Sequence, residues 1–217
     1  MSDTETTVEI DLAGFREVVR HPLAHARILG QYRIGEYAGV VALTRLLSEM
    51  EVGGKLRTAM DIHCRDEERH SRVFTEWIRR LDVEPAPMPA DLEGYFANSP
   101  EEFRAQRQLV EQLPPEQRRI IVFAAINAIE RLAATQFDTH LPCLERREDV
   151  EALKSVIEDE KFHLSYVEAE LARQQKGEHG ALVTTAVEQA RARFAQFSET
   201  RQRETREAIE RILGAGG

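Results

Sequence analysis

Two five-residue strings, Asp66-Glu67-Glu68-Arg69-His70 and Asp159-Glu160-Lys161-Phe162-His163, share the form D-E-x-x-H. Residues three apart lie on one face of a helix, so each string aims a carboxylate and an imidazole the same way. Together such groups ligate transition metals. A single Glu-x-x-His arises readily in any charged helix. Two copies, each preceded at nearly the same interval by a lone glutamate, do not. Glu36 lies 31 residues before Glu67, and Glu130 lies 30 before Glu160.

A helix returns to nearly the same face after seven residues. Seven either side of Glu36 stand Leu29 and Leu43; of Glu67, Met60 and Phe74; of Glu130, Phe123 and Phe137; of Glu160, Leu153 and Val167. All eight are apolar. In a chain that is 42% hydrophobic, eight independent hits on this helical template would arise on the order of once in a thousand trials. The four glutamates therefore belong to buried stripes. Four carboxylates buried without partners are very costly. Basic residues are scarce on these stripes, and three positions after two of the glutamates stand His70 and His163. Four anionic carboxylates and two neutral imidazoles suit two divalent cations, and this N/O ligation suits iron or manganese.

The elements that must hold these groups follow from punctuation and period. Residues 1–10 read as a tail and 11–20 as a short helix. Pro22 is compatible with a first helical turn, and helical spacing runs from about Leu23 to Met50. Gly53-Gly54 is expected to end that helix, and Lys55 to about Leu81 forms the next. Pro85, Pro87, Pro89, Gly94, Asn98 and Pro100 mark a long crossover, with a short helix expected over 101–111. A third long helix spans roughly 116–140 and stops at Pro142. A fourth runs from about Asp149 to Lys176. After Gly177 and Gly180, a charged amphipathic helix over 181–213 could lay Val187, Ala190, Phe194 and Phe197 against the bundle. No β pattern of any length is present.

The 217 residues suffice for one domain with a core, read here as a bundle over about 23–176 plus the C-terminal helix. A composition 31% charged and 6% aromatic suits an all-α protein. The net charge of −9 disfavours a nucleic-acid surface. Cys64 and Cys143 form neither a Cys-x-x-Cys metal site nor a disulfide scaffold. Met1–Glu9 is acidic and polar, unlike a signal region, and no run approaches about 18 consecutive apolar residues. No membrane span is expected, and a reducing cytoplasm is the expected compartment.

The pattern Glu36, Glu67-x-x-His70, Glu130, Glu160-x-x-His163 resembles the di-iron carboxylate proteins of the ferritin-like superfamily. The resemblance covers six ligands and the helix order. It implies a ferritin-like four-helix bundle with a long crossover between helices 2 and 3 and an extra C-terminal helix. It implies two iron ions, with Mn/Fe or Mn/Mn as alternatives carried by the same ligands. Glu36, Glu67 and His70 would serve one half of the site, Glu130, Glu160 and His163 the other, with Glu67 and Glu160 bridging. Metal-bound histidine usually donates its other ring N–H to a carboxylate, which pairs Asp66 with His163 and Asp159 with His70 across the bundle.

The D-E-x-x-H form is similar to that of dioxygen-activating members: monooxygenases, desaturases and ribonucleotide reductase small subunits. Locally, residues 159–166 look like the last-helix motif of aldehyde-deformylating oxygenases and some acyl-CoA epoxidase subunits. The expected function is a di-iron oxidase or oxygenase that uses dioxygen on a small organic substrate, fed by an external electron donor. A homodimer is compatible with this. Alternatives are a ferroxidase or rubrerythrin-like peroxide scavenger, and a tRNA-modifying hydroxylase of the same superfamily. No catalytic residue beyond the ligands is singled out. Tyr32, Leu43, Phe74, Phe123 and Phe137 are the candidate pocket residues. Small residues Gly35, Gly39, Ala133 and Ala134 flank the lone glutamates, where they open a pocket or permit close packing. His63, one turn before Glu67, is read as an ordinary boundary histidine in preference to an extra ligand or proton carrier. Trp77 is read as a packing residue.

Overall fold

The computed structural model describes residues 12–49, 51–89, 110 and 112–214. Among them are six α-helices, one 3-10 turn and no strand. A short α1 (Leu12–Arg20) leads into α2 (Pro22–Glu49) and α3 (Gly54–Arg80). Beyond the crossover come α4 (Pro115–His140), a 3-10 turn over Leu141–Cys143, α5 (Arg147–Gln175) and α6 (Gly180–Gly214). Boundaries agree with the spacing of apolar residues to within two positions. Gly53-Gly54 differs in role: α2 has already stopped at Glu49, and Gly54, at φ +60°, opens α3. The helix expected over 101–111 lies outside the described residues, apart from Val110.

All eight residues of the seven-residue test are core, none more than 2% exposed. They divide between two apolar clusters. Leu29, Phe74, Phe137 and Leu153 belong to one; Leu43, Met60, Phe123 and Val167 belong to the other. Each long helix therefore crosses both clusters, and the order of crossing gives its direction. α2 and α5 run one way, and α3 and α4 the other. Since α3 and α4 are parallel, the end of α3 and the start of α4 lie at opposite ends of a helix of 27 residues, roughly 40 Å at 1.5 Å per residue. Arg33 on α2 holds the chain just beyond α3, donating to the Ala86 carbonyl at 2.7 Å and contacting Met88 Sδ at 2.9 Å.

α2 packs on α3, α3 on α5, and α5 on α4. On the remaining side α6 lies along α4 and touches α2 and α5. It buries Val183 and Ala186 in one cluster and Ile209 in the other. Val187 and Ala190 pack against the same cluster as Val183, while Phe194 and Phe197 are half-buried and meet edge to face. By length and composition the segment Pro115–Cys143 is apolar enough to cross a membrane. Here α4 is covered instead by α5 and α6.

Trp77 is fully buried at the Phe74 end, stacked on His140 and edge-on to His25. His25 and His140 place their Nε2 atoms 3.1 Å apart in this aromatic nest. Burial lowers His25 to about 4, and burial with the neighbouring His25 lowers His140 to about 3. The pair thus stabilises the fold above the unfolded histidine pKa of about 6.5.

Replacing fully buried Phe123 by alanine should cost roughly 3–5 kcal/mol in urea unfolding. Replacing Phe162, which is 38% exposed, should change stability by less than about 0.5 kcal/mol. Acidification should destabilise the wild type progressively from about pH 6.5 towards 3, as His25 and His140 are forced to charge. A His25→Phe/His140→Phe double variant should show a smaller loss over that window.

Candidate metal centre

Between the two apolar clusters lies a polar layer built by all four long helices. α2 supplies Glu36, α3 supplies Glu67 and His70, α4 supplies Glu130, and α5 supplies Glu160 and His163. Each is 5% exposed or less. The neighbouring acids that could be mistaken for ligands, Glu68 and Glu158, are exposed and pair with Arg72 and Lys161. One residue of register at Glu68, and two at Glu158, separate a solvated ion pair from the centre of the bundle.

The layer contains two groups of four side chains that can hold a metal ion. One is Glu36, Glu67, His70 and Glu160; the other is His63, Glu67, Glu130 and His163. In each, one ligand atom per residue lies within 4.8 Å of all the others. Glu67 belongs to both groups. Glu160 also spans them, with Oε1 3.3 Å from His70 Nδ1 and Oε2 3.2 Å from His163 Nδ1. Oε1 is a buried carboxylate oxygen with no well-aligned hydrogen bond, His70 being its near neighbour. Glu67 is the carboxylate common to both groups; Glu160, expected in the half of Glu130 and His163, groups instead with Glu36, Glu67 and His70.

His70 and His163 both turn Nδ1 inward. His70 Nδ1 lies 2.9 Å from Glu36 Oε2. Their outer nitrogens meet the aspartates of the opposite motif: His70 Nε2 is 3.2 Å from Asp159, and His163 Nε2 is 3.5 Å from Asp66. Arg69 bridges the exchange, bonded to Asp159 and 3.8 Å from Asp66. This crossed pairing holds each ring with its inner nitrogen turned to the carboxylates.

Gly39 makes the layer fit. A Cβ there would stand 2.5 Å from Glu67 Oε2, so this glycine is the space the carboxylate occupies. At Gly35 a Cβ would meet nothing within 4 Å. The candidate pocket residues are all in the packed clusters: Tyr32, Phe74 and Phe137 in one, Leu43 and Phe123 in the other. Tyr32 sits edge-on to Phe137 with ring centroids 5.0 Å apart.

His63 departs from the reading as a boundary residue. It is 1% exposed, with Nε2 2.9 Å from Glu67 Oε1 and 3.1 Å from Glu130 Oε1. Its ring stacks on His163 at 3.6 Å. A signal existed in the sequence: His63 precedes Glu67 by four and His70 by seven, so it shares their face.

Without metal, protons would compensate the charge of the layer. Burial, with the charges of Glu36, Glu130 and Glu160, raises Glu67 well above the usual carboxylate range. Burial and Glu130 push Glu160 to about 8. Burial would lower both histidines, but Glu160 and Glu36 raise His70 to about 10, and Glu130 and Glu160 raise His163 to about 9. Glu130 is held well below its ordinary value: burial opposes this, and bonds to Glu160, His163 and His63 outweigh it. Four buried groups thus take up protons where two divalent cations would supply the same charge. The donor set, the Glu160 oxygen without a hydrogen bond and the crossed aspartates all fit a pair of metal ions.

Comparison with known proteins found no matching family model, no matching curated protein and no matching solved structure. The functional reading therefore rests on this geometry. Gly39→Ala should leave the metal-free fold as stable or slightly more so, because alanine favours a helix interior over glycine by about 1 kcal/mol. The same change should weaken metal binding by displacing Glu67. Thermal melts with and without metal check both signs. In chelator-treated protein, the raised groups Glu160, His163 and His70 contribute stability that is full below their unfolded pKa values. It is lost as pH rises through about 8 to 10. Urea midpoints of metal-free protein should therefore fall across that window, and metal should abolish the fall.

Proposed function

We propose that this chain is a di-iron oxidoreductase of the ferritin-like superfamily that uses dioxygen to oxidise a small organic substrate. The observation that carries this reading is a pair of buried four-residue clusters sharing Glu67, with an aspartate on the outer nitrogen of each motif histidine. A purely structural site needs no shared carboxylate and no second ion. The parallel run of α3 and α4 supports the ferritin-like order of helices.

When bound, two ferrous ions would supply the electrons that reduce dioxygen and, once oxidised, the power to oxidise substrate, with an external donor returning electrons. Glu36, Glu67, His70, Glu130, Glu160 and His163 would hold the pair. Manganese is compatible with the same donors. The chain's own work is orientation and exclusion. Asp66 and Asp159 keep the two imidazoles in the tautomer that presents Nδ1. Phe74, Phe123, Phe137 and Leu43 close the layer above and below and keep bulk water out. Charge compensation by protons means that the groups must be emptied as metal enters.

A second reading, oxidation of iron itself without an organic substrate, draws on the packing of the centre. The five pocket candidates are no more than 8% exposed, and two surface grooves among the described residues are lined by other side chains. Dioxygen and metal ions need less room than an organic molecule.

Anaerobic loading should incorporate two Fe(II) per chain, and admission of air should consume oxygen. A protein that takes up no redox metal would sink the proposal. Sustained oxygen uptake only with an added reductant and organic substrate supports the first reading; a single burst scaling with added Fe(II) supports the second. Loading at pH 7 should release about four protons per chain, from Glu67, Glu160, His70 and His163. Apparent affinity should accordingly rise from pH 6 to pH 8. Asp66→Asn should weaken metal binding roughly 10–100-fold.

A further inference from the structure

The layer holds three inward-facing imidazoles, and the motif accounts for two. We infer that His63 is a seventh protein ligand, so that the centre has an imidazole-rich half and a carboxylate-rich half that fill unequally. This rests on the reading of the layer as a two-metal centre.

His63 keeps the company of a ligand. Its Nε2 lies within 3.1 Å of an oxygen of both Glu67 and Glu130. Those two carboxylates, with His163, complete its cluster. Its other nitrogen is held in the way the motif histidines are held: Nδ1 is 2.7 Å from the hydroxyl of Tyr166. All three rings therefore follow one rule. The nitrogen facing the carboxylates has only ligand-type neighbours, and the opposite nitrogen has a fixed partner: Asp159, Asp66 or Tyr166. A histidine placed only to fill space has no need of both. Tyr166 is one turn after Phe162 and three residues after His163, so α5 delivers a ligand and the support of a second ligand on adjacent positions of one face.

The halves then differ in kind. His63, His163 and Glu130 make one; His70, Glu36 and Glu160 make the other, with Glu67 common to both. Imidazole favours the later divalent metals, whereas carboxylate suits manganese and magnesium. The half with two imidazoles should bind iron or cobalt first, and the half with one should fill second and tolerate manganese.

Co(II) is the probe, added to the metal-free full chain and followed by calorimetry and proton NMR. Wild type should bind two equivalents in two resolved steps. Its fully loaded spectrum should show three paramagnetically shifted, exchangeable ring N–H signals, from His63 Nδ1, His70 Nε2 and His163 Nε2. His63→Gln, which retains a polar side chain, and His63→Ala should each lose one signal. Both should weaken the tighter step roughly tenfold or more while keeping the helical circular dichroism. Tyr166→Phe leaves every ligand in place; it should keep two equivalents, speed exchange of one N–H signal and weaken the tighter step alone. Two signals from loaded wild type, or unchanged binding in the His63 variants, would overturn the inference and leave the two-metal reading standing. No Co(II) binding by wild type would overturn both.

Discussion

Four carboxylates meet at the centre of this bundle with no lysine or arginine of the described residues among them, and the rest of the structure answers to that fact. A buried carboxylate without compensation is among the most expensive groups a fold can contain. Compensation comes from cations or from protons. Without metal, protons would supply it: Glu67, Glu160, His70 and His163 rise, while bonds to Glu160, His163 and His63 hold Glu130 low. A layer that must collect protons in order to be neutral is also one that gives them up when metal arrives.

The polar layer divides the apolar core. Leu29, Phe74, Phe137 and Leu153 gather on one side of it; Leu43, Met60, Phe123 and Val167 gather on the other. These clusters fix the helix axes, and the axes fix the carboxylates, so packing energy is what prevents the glutamates from moving apart to relieve repulsion. α6 completes the enclosure along the side where α4 would otherwise be bare. Gly39 is the point where packing and chemistry conflict most directly: a helix interior favours alanine, and Glu67 requires the space.

The outer nitrogens tie the layer to the surface. Asp159 and Asp66 are partly exposed, and Arg69 joins them, so each motif histidine is oriented by a residue of the other motif. The reciprocity makes the two D-E-x-x-H strings one unit. Tyr166 serves His63 in the same geometric sense, with a hydroxyl in place of a carboxylate.

Periodicity by itself determined a good deal. Spacings of three and seven put the glutamates on buried stripes, separated Glu67 and Glu160 from the exposed Glu68 and Glu158, and placed eight core residues. This worked because helical geometry is local: a residue's face depends only on its offset from its neighbours. Proline and glycine located the helix ends, although Gly53-Gly54 opened a helix where a stop was expected. Which helix meets which, and at what height, depends on contacts between residues far apart in the chain, and only the tertiary structure decided that. His63 shows the difference. Its offset of four from Glu67 put it on the correct face. Its depth in the layer depended on the approach of Glu130 from α4 and of His163 and Tyr166 from α5, interactions 67 to 103 residues away in the chain. The His25–His140 nest has the same origin, since 115 residues separate two imidazoles that share one contact.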